Sequence, residues 1–211
     1  LAELVIHDYA AQAKVVSLPS TVDQTIFKSG NKSNARERFG LLPNKQYIGT
    51  AGGLYKDKGV EVIYQAWEKL KHEMPNVHLV LAGPYQPDYP PPEEERVHYL
   101  GSLAHHEIST LFQALDLGII SILDTPFGRY CFPQKAYEML ACELPVVVAN
   151  IGEMSYLFRD SPQVLFQTGN ANDLASKIQQ QLQSPQQQSI VVEDWATIIE
   201  RLEPMITALK F

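Results

Sequence analysis

Glu138 and Lys58 are the residues of this chain whose surroundings point most directly to chemistry. Glu138 lies in the stretch Tyr130-Cys-Phe-Pro-Gln-Lys-Ala-Tyr-Glu138-Met-Leu-Ala-Cys-Glu-Leu-Pro-Val146. Its pattern predicts a helix that opens at Pro133 and runs into a buried strand, 145–149, so that the carboxylate falls on the first turns of the helix. A helix start at the carboxyl end of a parallel strand presents unpaired N–H groups and a partial positive charge, which suit a phosphate. A carboxylate one or two turns further along is placed to accept hydrogen bonds from sugar hydroxyls. Lys58 follows Gly49-Thr-Ala-Gly52-Gly53-Leu54 and immediately precedes Gly59. Glycines let a diphosphate approach the main chain, and a lysine at the following helix start supplies a mobile positive charge. Taken alone, the glycine cluster fits a plain tight turn equally well. Between the two sites, Leu100-Gly-Ser-Leu103-Ala-His105-His106 forms a turn whose main-chain groups can hold a nucleobase. Phosphate, sugar and base together make a nucleotide site.

Other chemistries find little support. The glycine loop lacks the Gly-Lys-Ser/Thr ending of a Walker A motif and the Gly-x-Gly-x-x-Gly of a dinucleotide turn. His105 and His106 are adjacent at a helix start, so their rings diverge, and no carboxylate-rich motif accompanies them; no metal is expected. Neither histidine has the partners of a hydrolase triad. Cys131 and Cys142 lack metal or redox spacing and read as reduced thiols. The 211 residues carry a formal charge of -7 without a Lys/Arg run, which argues against a nucleic-acid partner or a polybasic membrane anchor. No apolar run approaches the roughly 20 residues of a membrane span. The chain begins Leu-Ala-Glu, without a methionine or a signal-peptide pattern, and is expected to be a piece of something longer.

The elements that must position these residues alternate from residue 47 onward. Apolar, β-branched runs at 47–51, 77–82, 97–100, 117–123, 145–149 and 164–166 predict six strands. Amphipathic segments at 59–73, 106–115 and 172–182 predict helices between them. Strands apolar on both faces and separated by helices imply a doubly wound, Rossmann-like α/β domain with a mostly parallel six-stranded sheet. Its ligand crevice should open beyond the strand carboxyl ends, with Lys58, Leu103 and Glu138 lining it together. Residues 47–193 constitute that domain. Residues 29–46 read as a polar linker with a short turn at 36–39. Residues 1–28 hold a helical stub and a short strand at 13–18, and 194–211 a last helix that Pro204 should kink.

The ordered set Gly-Gly-Leu-(x)3-Lys-Gly, Val-His-Leu-Val-Leu-Ala-Gly, Val-x-Tyr-Leu-Gly and Pro-x-Lys-x-x-Glu-Met-Leu-Ala-Cys-x-Leu-Pro-Val-Val resembles the carboxy-terminal, donor-binding domain of GT-B glycosyltransferases. The likeness is to the retaining "group 1", or family 4, enzymes, and covers roughly residues 13–210. It implies that Lys58 neutralises the donor diphosphate beside Gly52 and Gly53, and that Glu138 holds the ribose hydroxyls; these are the two catalytic candidates. It further implies that the turn from Leu103 to His105 holds the base, and that the segment Tyr130, Cys131, Phe132, Pro133, Gln134 offers main-chain groups to sugar and diphosphate. Residues 1–28 become the remnant of an amino-terminal domain with its interdomain connection, and 194–211 the crossover helix. The implied activity is hexosyl transfer from a nucleoside-diphosphate sugar, such as a UDP- or GDP-sugar, to a hydroxyl held by the missing amino-terminal domain. No cofactor or metal is implied. The implied protein is cytoplasmic and can meet the membrane periphery through the missing domain.

Two positions depart from the pattern. Tyr130 stands where the family has its first glutamate, and Gly53 where it has an arginine. Glycine cannot replace a bidentate phosphate contact, and Arg129 or Lys135 could supply the charge. A drifted, non-catalytic nucleotide-sugar-binding module is the alternative reading, and a GT-B epimerase shares the architecture. As an isolated piece the chain should bind donor weakly and turn over little. A crevice rim built for a second domain should expose apolar side chains, among them Phe127, Tyr130, Phe132 and those near Phe211.

Overall fold

The computed structural model describes residues 20–132, 134–186, 188 and 190–207. The expected helical stub, the strand at 13–18, Pro133 and Phe211 lie outside them. Six strands, β1 (Gln46–Ala51), β2 (Val77–Ala82), β3 (Val97–Tyr99), β4 (Leu117–Ile120), β5 (Val146–Ala149) and β6 (Leu165–Phe166), form one sheet in the order β3-β2-β1-β4-β5-β6. Every pairing between neighbours is parallel. From β1 the chain winds outward through β2 and β3; from β4 it winds the opposite way through β5 and β6. The reversal leaves a crevice above the carboxyl ends of β1 and β4.

Burial explains why these runs are strands. All six residues of β2 and all four of β4 and β5 are buried, as a sheet covered on both faces requires. The helices supply the cover. On one face, α2 (Val60–Glu73) lies beside α7 (Ala171–Gln183); on the other are α3 (His105–Ala114) and α5 (Gln134–Ala141). Trp67 and Leu70 of α2, Leu111 and Phe112 of α3, and Ile178 of α7 are 0–1% exposed and close the core against β1, β2 and β4.

The structure departs from the sequence expectation in three places. The strand expected at 117–123 ends at Ile120, although Ser121 and Ile122 stay buried. Those residues leave the ladder to approach the first loop, where the Ser121 hydroxyl donates to the Gly59 carbonyl at 3.0 Å. The polar linker contains a helix, α1 (Lys32–Arg38), whose start is capped by Asn31 accepting from the Asn34 N–H at 3.0 Å. Arg36 on α1 is buried and bonds Ala114 O (3.0 Å), Pro43 O (2.9 Å) and Asp116 Oδ2 (2.6 Å), which docks α1 on α3. Short helices α4 (Pro126–Tyr130) and α6 (Gly152–Leu157) also flank the crevice side, the first opening on a Thr125 cap with Pro126 at its first position. The last helix, α8 (Trp195–Thr207), contains Pro204 in its interior and buries Ile198.

Candidate functional site

The loop after β1 is fixed by main-chain contact before any side chain contributes. Gly52 N–H donates to Ala82 O at 2.9 Å and Leu54 N–H to Pro84 O at 2.8 Å, which holds this loop against the one that follows β2. Gly83 has φ +124°, and a Cβ there would stand 2.1 Å from Gly52 O, so only glycine allows the approach. A single 3-10 turn, Lys56–Lys58, then leads to Gly59 at φ +66°, the left-handed N-cap of α2. A Cβ on Gly59 would meet the Ser121 hydroxyl at 2.4 Å. These contacts hold Lys58 at the crevice, its ammonium 4.2 Å from the centre of the Phe127 ring. Cation–π contact of this kind is worth roughly 0.5–1 kcal/mol, weak enough for an anion to displace.

The opposite wall is α5. Glu138 lies one turn into it, its side chain 16% exposed, with His105 Nε2 from the start of α3 at 4.0 Å. Burial pushes its carboxyl above the usual range, opposed by His105 and Lys135. Lys135 is half-buried, with its ammonium 3.5 Å from where a Cβ on Gly52 would stand. Burial first, and then the neighbouring Lys58 charge, lower its pKa to about 8. Gln134 is tied to the other end of the chain: its amide donates to Thr21 O and its carbonyl accepts from the Ser20 hydroxyl. Phe27 of the same early segment meets the His105 ring edge-on at 5.0 Å.

Together these walls enclose a crevice of about 340 Å³. Of the residues proposed from sequence, Gly52, Gly53, Lys58, His105, Phe132, Gln134 and Glu138 line it. Leu103, Tyr130 and Cys131 do not. Leu103 is half-buried and packs against the core, which leaves its main chain alone to serve a ligand. Tyr130, the last residue of α4, is 65% exposed. The Cys131 thiol is turned to Gly128 O at 3.6 Å, and burial raises its pKa. Pro133 lies outside the described residues. Of the two cations considered for the missing charge, Arg129 is held by Asp124 at 2.5 Å and Lys135 lines the crevice. The sequence reading missed Ser121, Ile122, Ile108 and Phe112, which form the floor. The run of buried residues past the end of β4 was the available signal for the first two.

Apolar side chains are exposed beside the crevice and on the last helix. Phe127 (48%) and Phe132 (36%) stand at the rim with Tyr130, and Trp195, Ile199 and Ile206 are exposed on α8. Among the described residues, no helix is long and apolar enough to cross a membrane, and no group of three or more His, Cys, Asp or Glu is placed to hold a metal ion.

Residues 45–184 match the family profile described as "Glycosyl transferases group 1". The D-inositol 3-phosphate glycosyltransferase of Mycobacterium marinum is 27% identical over 163 residues, which cover 72% of this chain and 33% of that protein. The enzyme of the same name from Stackebrandtia nassauensis is 27% identical over 186 residues, covering 80% and 41%. The chain therefore spans between a third and about two-fifths of the length of these curated relatives. Among solved structures, sucrose-phosphate synthase from Thermosynechococcus elongatus superposes with a TM-score of 0.76 at 19% identity, over 97% of this chain and 55% of that one. Anabaena HepE, solved in complex with UDP and glucose, gives 0.72 at 22% identity, over 90% and 56%.

Proposed function

Because the chain belongs to the group 1 glycosyltransferases, we propose that it is the donor-binding half of a retaining enzyme that moves a sugar from a nucleoside diphosphate to a hydroxyl. One observation carries this reading: Lys58 from the β1 loop and Glu138 from α5, on opposite sides of the sheet's reversal, line the same crevice. A cation for phosphate and a carboxylate for hydroxyls, separated by a cleft, match the two ends of a ribose diphosphate. The complex of HepE with UDP and glucose supports the same ligand class.

In this reading Glu138 accepts hydrogen bonds from the ribose hydroxyls, and the main chain from Leu103 to His105 holds the base. Lys58 and the N–H groups at the start of α5 face the diphosphate. The bond between the sugar's anomeric carbon and the diphosphate oxygen breaks, the acceptor oxygen bonds to that carbon with retention, and the acceptor's proton is lost. Fixed positive charge placed where the leaving oxygen gains negative charge lowers the barrier, and it acts best in a water-poor cleft. The acceptor hydroxyl is supplied from the rim side, by the half of the enzyme that the curated relatives carry in addition.

Calorimetric titration of the protein with UDP-, GDP- and ADP-glucose tests the assignment. One of the three should bind, and the matching nucleoside diphosphate should bind at least as tightly. Absence of binding by all three at millimolar concentration would overturn the reading.

A further inference from the structure

The crevice holds more positive charge than its own residues neutralise. Among the described residues, neither Lys58 nor Lys135 has a carboxylate within 4.0 Å, as is also true of Lys45, Lys56, Lys69 and Lys177; what sets the pair apart is that both line one crevice. The two lysines come from different walls of one crevice, Lys58 from the β1 loop and Lys135 from α5, and the Lys135 ammonium lies 3.5 Å from where a Cβ on Gly52 would stand. Two like charges lining one crevice repel, Glu138 offsets only one of them, and an anion between them relieves the rest.

The loop cannot provide the second cation itself. The Tyr55 ring lies over Gly53, 2.4 Å from where a Cβ would stand, so a long side chain at position 53 has to displace that ring. Arg129 is already engaged by Asp124. Lys135 reaches the glycine loop from the α5 wall, its ammonium close to Gly52.

We propose that Lys135 is a second phosphate-binding residue of this crevice, gripping the diphosphate from the α5 wall while Lys58 grips it from the loop wall. The inference rests on the nucleotide-sugar reading above and deepens it. A pair of cations facing each other suits two linked phosphates better than one, so Lys135 should favour a diphosphate over a monophosphate and stabilise the departing group during transfer. The ionisable groups around its ammonium are Lys58 from the loop, Glu138 one turn along α5, and Cys131 ahead of it, with His105 of α3 facing Glu138. Cys131 is raised by burial from a value that is already alkaline, so Lys135, at about 8, is the group that discharges between pH 7 and 9.

The test uses UDP, GDP and ADP by calorimetry at pH 7, then the monophosphate and nucleoside of whichever binds best. Lys135→Met should weaken the diphosphate about tenfold or more, the monophosphate less, and the nucleoside not at all, with Lys135→Arg restoring the loss. Wild-type affinity for the diphosphate should fall several-fold from pH 7 to pH 9, and Lys135→Arg should flatten that fall because arginine stays charged. A folded Lys135→Met protein that binds the diphosphate like wild type, or loses nucleoside and diphosphate equally, overturns the proposal. If Lys135→Met does not fold, the pH profiles decide: the same fall in wild type and Lys135→Arg overturns it. A wild type that binds none of the three diphosphates removes the functional reading itself, whereas binding that ignores Lys135 removes this inference alone.

Discussion

At the residue scale, the proposed function gives Glu138 and Lys58 opposite ends of a ribose diphosphate. The Glu138 carboxylate is mostly buried, and the nearest basic side chain within 4.0 Å is the His105 ring, so its acceptor capacity is largely unspent. Charge-assisted hydrogen bonds contribute roughly 1.5–3 kcal/mol each, and about 1.4 kcal/mol is a tenfold change in affinity. Glu138→Gln should therefore weaken nucleoside and nucleoside diphosphate alike by about tenfold. Lys58→Ala should weaken only the diphosphate, by a similar factor, because its partner is phosphate. Calorimetry on the folded variants checks both; equal losses across all ligands for Lys58→Ala would show that it shapes the loop and does not grip phosphate. The sequence showed this pair because glycines before a lysine, and a carboxylate after a helix start, are local patterns. It could not choose between Arg129 and Lys135. Both flank the same helix start, and the difference is Asp124, which engages Arg129 through a short turn that no periodicity marks.

At the scale of elements, the strands and the long helices were legible and the docked pieces were not. Two-sided burial writes continuous apolar runs in β1, β2, β4 and β5, whereas the edge strands β3 and β6 are only partly buried and were legible as short β-branched or apolar runs. The same signal overran β4, because Ser121 and Ile122 are buried by the first loop without strand partners. In α1 the opposite happens: a polar segment is anchored by one buried guanidinium. Arg36 serves two carbonyls and Asp116, and Asp116 in turn accepts from the Tyr47 N–H at 2.7 Å at the head of β1. Arg36→Met leaves these acceptors short of donors in a part-buried site, which should cost about 2–4 kcal/mol. Urea denaturation should record the loss, while nucleotide affinity in the folded fraction stays unchanged, since α1 lines no part of the crevice. A stability within about 0.5 kcal/mol of wild type would mean that water replaces the guanidinium at no cost.

At the scale of the molecule, the sheet's amino-terminal end carries a pH response remote from the crevice. His78 of β2 and His98 of β3 stack with ring centres 5.2 Å apart, and His78 Nδ1 lies 2.9 Å from His98 Nε2. Only a neutral ring can accept that hydrogen bond. Burial, and then the partner ring, lower His78 to about 4, and burial lowers His98 as well. An unfolded histidine titrates near 6.5, so the unfolded chain binds more protons than the native one as pH falls from about 6.5 toward 4. The contribution is full above 6.5 and is lost progressively below it. Going from pH 7 to pH 5 should lower stability by about 2 kcal/mol. Denaturant titrations should show this slope in wild type and a flatter one in His78→Phe. An unchanged slope would place the acid sensitivity elsewhere.

The contacts that hold Gly59 to Ser121 and Gly83 to Gly52 also bear on how such a crevice can diversify. A side chain at either glycine meets a neighbouring loop within 2.4 Å, so the path of the main chain around the crevice is closed to stepwise change. The side chains that project from that fixed frame are free to be exchanged. Here the loop wall carries Gly53 under the Tyr55 ring while Lys135 stands on the helix wall, and exchanging either side chain leaves the main-chain socket unchanged. The origin of a charge in such a crevice is therefore less constrained than the course of the chain beneath it.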